Sequence, residues 1–310
     1  QGSSSLCRNI AERVSVKLDH ETAVVGESQA IPFSDVLLLV LDRCEDPLTP
    51  LLNQWTYEAM VHELIGMHNH RVSLRSAPGI SKELEEVILD ADVDSFFEQT
   101  RYCNFGELGT SLKGLVDSFS ATTRTRGVVQ SIEDMMRFVE NYPYFRRSSG
   151  DVAKHVALSA ELSRIVGNNS LLEVSQVEQD LACREAEHDH RTAVWELLGN
   201  QKVSIRDKVR LVCLYYLRYE SHAARDVIQL CNRLRDLGAS LSDVDVVQSI
   251  VQYAGFTRRS GDVFSNKTLY ARAKNKVMRG VGGIDNVYTQ HEPLLASTLD
   301  QLLRGSLPSA

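Results

Sequence analysis

From Asp94 almost to its end, this chain repeats apolar residues every three or four positions, and little interrupts them. Phe105, Leu108, Leu112, Leu115 and Phe119 form one stripe, and Ile132, Met135, Met136 and Val139 resume the period up to Pro143. Val152, Val156, Leu162, Ile165 and Val166 carry it on, and Leu171, Val174, Val177 and Leu181 follow after a weak spot at 167–169. Further helices are predicted at 206–219, 223–237 (with Gly238 just past the end), 242–253, 266–279 and 293–304. The 18 Gly and 7 Pro among 310 residues amount to roughly 8%, against about 12% in average usage, so breakers are scarce. A 3.6-residue period this sustained predicts a mainly α protein with long helices, and reads Ser120–Gly127 as a polar, basic loop between two of them.

The first 93 residues are more varied. Leu6, Ile10, Val14 and Leu18 predict a helix over 5–18. Val36–Leu41 is a continuous apolar run, which suits a strand buried on both faces of a parallel sheet. One central strand cannot stand alone, so most of that sheet is expected to lie outside this chain. Asp46-Pro47-Leu48-Thr49-Pro50 reads as a turn that starts a helix carrying Leu51, Trp55, Ala59 and Leu64, ending near Gly66. Arg71–Leu74 and Leu84–Leu89 are predicted to pair as a small hairpin around Pro78-Gly79.

The chemistry-bearing motifs are sparse. His62-Glu63 begins like a zinc-protease helix, but position 66 is Gly, and His68 and His70 fall at the wrong offset. Cys183, His188 and His190 could hold zinc, but no second ligand pair follows, which favours a solvated acidic loop. No nucleophile motif or phosphate loop occurs, so neither an enzymatic activity nor a cofactor is expected. Six scattered cysteines, without a CxxC pair, read as core residues of a reducing compartment. No secretory signal opens the chain, and 1–5 reads as an expression remnant or loop. The longest apolar run has six residues, far short of the ~20 that span a bilayer. Together these predict a cytosolic, monomeric protein.

Charge is more informative. A net charge of -7 argues against a dedicated nucleic-acid binder. Within it, 258–279 carries Arg258, Arg259, Lys267, Arg272, Lys274, Lys276 and Arg279 against Asp262, while 173–190 is acidic. Both stretches read either as solvated faces or, for the basic one, as a surface that meets an acidic protein helix or an anionic membrane. Pro143 removes a backbone donor and clashes with the preceding turn, at ~3 kcal/mol if a helix runs through it. It reads as a helix end or as a hinge, with the folded-back form expected to dominate.

Several stretches are closely similar to one family. Leu41-Asp42-Arg43-Cys44-Glu45-Asp46-Pro47-Leu48-Thr49-Pro50 resembles the Asp-Arg-x-x-Asp-Pro-x-Thr-Pro segment of the SM (Sec/Munc) proteins, which bind SNAREs and promote vesicle fusion. Ala59–Leu64, Asn104-Phe105-Gly106-Glu107, Phe138–Pro143, Leu172–Cys183 and Asn286–His291 resemble its endosomal and trans-Golgi branch, that of vacuolar protein sorting forty-five. The likeness runs collinearly from about Leu6 to Leu303.

The resemblance implies an arch-shaped, three-domain protein about twice this length, whose first domain, with the main syntaxin-binding surface, is absent here. It implies edges of an α/β second domain at 1–45 and 284–310. It also implies a helical third domain, with a long hairpin in 46–166 and a bracing half in 167–283. In the family the hairpin is thought to bind the vesicle SNARE helix, under control of a proline. That proline corresponds to Pro143, with Phe145, Ser149 and Val156 on the segment that extends. Ser149 and Val156 stand where the neuronal relative carries leucine. The function implied is regulation of SNARE-mediated fusion in endosomal and trans-Golgi transport, by templating syntaxin-type and vesicle SNARE helices. The protein would sit in the cytoplasm, held peripherally on Golgi and endosomal membranes through its partners. The alternative is a helical scaffold for a Rab effector or an anionic membrane, with SNARE binding in the missing half.

Overall fold

The structure, a computed structural model, describes residues 4–25, 37–124, 132–183, 189–264, 288 and 290–307, with the backbone alone at 22–25, 119–124 and 132–149. The chain divides into two compact units, Asn53–Leu172 and the remainder, Gln1–Leu52 with Glu173–Ala310.

In the Asn53–Leu172 unit, α2 (Tyr57–Met60) widens into a π-helical turn, Val61–Gly66, and ends at Gly66, whose φ of +98° is reached easily only without a Cβ. A three-stranded antiparallel sheet follows: β1 (Met67–His68), β2 (Arg71–Ser73) and β3 (Glu86–Ile88), with β2 central. Val72 faces Val87 in the β2–β3 register, the hairpin that the sequence predicts. β1 is an addition to that reading. It turns into β2 through Asn69 and His70, both at positive φ, so His70 serves a tight turn, with its Nδ1 3.2 Å from the Leu89 carbonyl oxygen.

Helices complete this unit: α3 (Ser95–Thr100), α4 (Phe105–Arg124) and α5 (Ile132–Asn168). Asp94 caps α3 by accepting the Phe97 N–H at 2.9 Å. Asn104 and Glu107 form a reciprocal capping box at the start of α4, through bonds of 3.0 and 3.3 Å. Tyr57, Met60, Val72, Leu89, Phe97, Leu108, Leu158 and Leu162 are the buried core.

Two expectations are corrected here. Residues 120–124 continue α4 as helix instead of opening a loop, because Ala121, Thr122 and Thr123 lack a breaker. The break at Pro143 is also absent, for α5 runs continuously through it for 37 residues. A proline forfeits one hydrogen bond and strains one turn. Here each half of the helix has many more bonds, and the C-terminal half is pinned by buried Leu158, Leu162 and Val166.

The other unit is helical. Its core is packed around α8 (Ile205–Tyr219) by α6 (Leu171–Cys183), α7 (His190–Gly199), α9 (Ala224–Asp236) and α10 (Leu241–Ala254). Ser204 caps α8, and Ser240 with Asp243 makes a capping box on α10. Gly238 follows α9 at φ +93°, the role its position predicts. The sequence reading missed α7, whose N-cap, Asp189, closes the acidic stretch taken for a loop.

The Asp46-Pro-Leu-Thr-Pro segment does not start a long helix. It makes a single 3₁₀ turn, Thr49–Leu51, with the Asp46 carboxylate accepting from the Thr49 N–H (3.1 Å), the Thr49 hydroxyl (2.7 Å) and the Leu294 N–H (3.1 Å). That last bond holds the start of α11 (Leu294–Leu303), and Gln179 Oε1 accepts from the N–H groups of Gln290 and His291 just ahead of it. The Asp-Pro-Leu-Thr-Pro segment thus works as a clamp within this unit.

α1 (Ser5–Val25) forms as predicted and runs longer, with Leu6, Ile10 and Leu18 exposed. Residues 37–41 are not a strand. Among the described residues they pair with none, and Leu37 stays 67% exposed, since a strand without a neighbour has no ladder to join. Val36 lies outside the described residues.

Candidate functional site

The hairpin residues singled out in the sequence all belong to α5. Because the helix is unbroken, positions 145, 149 and 156 fall within about 40° of one another around its axis and span about 16 Å along it. Val156 is exposed on that face. The side chains of Pro143, Phe145 and Ser149 lie outside the described set. The basic positions Arg272, Lys274, Lys276 and Arg279 do so entirely, as does the helix predicted over 266–279.

The root of α5 carries a buried polar network that sequence reasoning did not anticipate. Asp94, the cap of α3, also accepts from Lys154 Nζ at 2.5 Å and from His155 Nε2 at 3.0 Å. His155 is 1% exposed, and its Nδ1 lies 2.8 Å from the Tyr57 hydroxyl. Lys154 further reaches Asp151 (3.2 Å) and the Ile88 carbonyl oxygen (3.3 Å). Burial alone would push the Asp94 carboxyl up, but hydrogen bonds from His155, Lys154 and the Phe97 N–H outweigh it and hold the group well below the usual carboxylate range. Burial, followed by the Asp94 charge, pushes the Tyr57 phenol well above its ordinary value.

An ionised Asp94 only accepts, so His155 Nε2 carries hydrogen, and Tyr57 keeps its proton in its hydrogen bond with Nδ1. The network therefore locks α5 against α2, α3 and β3 through four side chains, three of them far apart in sequence. Only the Asp94 cap had a local signal, an acidic residue just before a helical run. The contacts at separations of 98 and 61 residues had none.

His188 lies outside the described residues, while His190 is buried with Nδ1 2.7 Å from the Tyr219 hydroxyl, and Cys183 Sγ faces Gln179 Oε1 at 3.8 Å. Among the described residues no three metal-ligating side chains cluster, and no helix is long and apolar enough to cross a membrane. The described geometry is a long helix held at its buried polar network, with Val156 exposed.

Comparison with known proteins agrees with the motifs. Vacuolar protein sorting-associated protein 45 of Rattus norvegicus is 48% identical over 275 residues, covering 87% of this chain and 48% of that protein. The Homo sapiens protein of the same name is 44% identical over 313 residues, covering 99% of the chain and 54% of that protein. The chain thus spans about half the length of these relatives. A solved structure of the SM protein Vps45 in complex with the Qa SNARE Tlg2 superposes with a TM-score of 0.84 at 38% identity, covering 99% of this chain and 55% of that one. The Sec1 family matches residues 1–310, end to end, and the chain belongs to that family.

Proposed function

We propose that the chain is the SNARE-handling part of a regulator of vesicle fusion in endosomal and trans-Golgi transport, acting by binding and not by catalysis. In this reading α5 is a rail on which a vesicle SNARE helix lies, beside a syntaxin-type SNARE, so that the two can pair. The observation that carries the reading is the unbroken α5, which brings positions 145, 149 and 156 onto one face, with Val156 open to solvent. The solved relative bound to a Qa SNARE supports the choice of partner class. Pro143 is the point at which the rail can be interrupted. Arg272, Lys274, Lys276 and Arg279 serve as a basic face for an acidic partner, and the protein works peripherally on Golgi and endosomal membranes.

The test is a titration of the chain with labelled syntaxin-type and vesicle SNARE motifs, beside Val156→Asp. A charge placed in the middle of an apolar contact should weaken vesicle-SNARE binding at least tenfold, equivalent to about 1.4 kcal/mol. Val156 is exposed, so stability should be unchanged. Equal binding by both proteins would remove α5 from the SNARE contact.

A further inference from the structure

The turn that follows α10 is fastened from two sides. Glu220, at the end of α8, accepts the Phe256 N–H with both carboxylate oxygens, at 2.7 and 2.8 Å, and the Arg259 guanidinium at 3.0 Å. Gly255 makes room for that carboxylate, since a Cβ there would collide with the Val251 carbonyl oxygen and lie 2.6 Å from Glu220 Oε2. Further along, Ser260 donates its N–H and its hydroxyl to Glu45, at 2.8 and 2.6 Å. Between these ties the turn displays apolar surface: Phe256 is 68% exposed, and Tyr253, in the last turn of α10, 54%. Arg258, also exposed, folds back over the same turn and donates its Nε to the Gln252 carbonyl oxygen at 3.3 Å, a neutral partner.

Single exposed apolar residues are ordinary, but two aromatics within four residues, on a turn held by hydrogen bonds, are pre-organised. Aromatic side chains and arginine are also the residues that protein interfaces favour. We propose that Tyr253, Phe256 and Arg258 form the anchor at which an acidic amphipathic helix of a partner protein docks. Charge selects that occupant. The turn opens the stretch 258–279, with seven cations against Asp262, so a helix laid across it needs carboxylates beside its apolar stripe. The inference rests on the reading of Arg272, Lys274, Lys276 and Arg279 as a basic face, and adds the apolar contact that charge alone does not supply. A second copy of the chain, through its acidic stretch 173–190, is the competing occupant.

The probe is a fluorescein-labelled helical peptide with Leu along one face and Glu on the other, titrated against the whole 310-residue chain by anisotropy at low and high salt. Two control peptides carry Gln for Glu or Ser for Leu. Saturable binding of the Leu–Glu peptide is expected, about tenfold or more weaker for either control and for Phe256→Ser. Phe256 is exposed, so the thermal midpoint of that variant should stay in place. Should it fall, Tyr253→Ser carries the same test. Arg258→Gln should flatten the salt dependence. A variant neutralised at Arg272, Lys274, Lys276 and Arg279 separates the two readings. Binding lost there but kept in Phe256→Ser removes the anchor and leaves the basic face, and the reverse pattern keeps the anchor and removes the face. Equal affinity of wild type and Phe256→Ser, equal binding of the Ser control, or no binding of any peptide would overturn the anchor. Dimerisation in sedimentation equilibrium that Phe256→Ser abolishes would overturn it in favour of the second copy.

Discussion

Tyr57, Asp94, Lys154 and His155 show how a few buried polar groups can root a long helix. Each is satisfied by the others, and buried polar groups stabilise only when none is left over. Tyr57→Phe keeps the shape but leaves His155 Nδ1 without its hydrogen-bond partner, so it should cost about 1–3 kcal/mol in denaturant unfolding. Asp94→Asn leaves Lys154 only the more exposed Asp151 as a countercharge and should cost about 3 kcal/mol. The pH sign follows from the depressed carboxyl. Its contribution is complete above the ordinary carboxylate value of 3.8 and is lost as pH falls through that value toward the lower folded one. Wild-type stability should therefore decline steeply below about pH 4, and the Asp94→Asn protein should decline less over the same range. Parallel acid limbs would assign the sensitivity to other groups.

At the scale of the element, α5 sets local propensity against continuity. Pro143 costs the helix one donor, and Pro143→Ala restores an N–H that can bond the Val139 carbonyl oxygen. Half of the ~3 kcal/mol proline penalty would still shift the straight-to-broken ratio about tenfold. The variant should slow amide exchange over 139–147 and leave exchange in α8 unchanged. Unaltered exchange at the joint would make Pro143 a neutral residue of a stable helix. Elements were legible in the sequence where the signal was local and repeated: Gly238 after α9, the β2–β3 hairpin, and the stripe of α4. They were not where partners decide. A continuous apolar run becomes a buried strand only if neighbours exist, and the run ending at Leu41 has none among the described residues. α7 escaped because acidic residues precede Asp189 and mask its cap, and Pro143 misled because the pinning of α5 by Leu158 and Leu162 is tertiary.

For the whole molecule, the buried core and the proposed binding face fall on different residues. In the all-helical unit, Leu211, Leu214, Leu217 and Leu230 are fully or almost fully buried, and Leu214→Ala should cost about 2–5 kcal/mol by opening a cavity. The Asp46–Thr49 clamp explains how the longest family motif was so legible while saying nothing about partners, because its residues hold chain to chain. Neutralising Arg272, Lys274, Lys276 and Arg279 together should instead lower association rates and flatten their salt dependence, with thermal stability unchanged. The central claim is that a vesicle SNARE helix lies along one face of α5. Hydrogen exchange of the chain with and without a vesicle SNARE motif tests it most directly. New protection centred on 145–156, with little change elsewhere in the Asn53–Leu172 unit, is the result expected. Saturated binding that leaves 145–156 exchanging as in the free chain would contradict it.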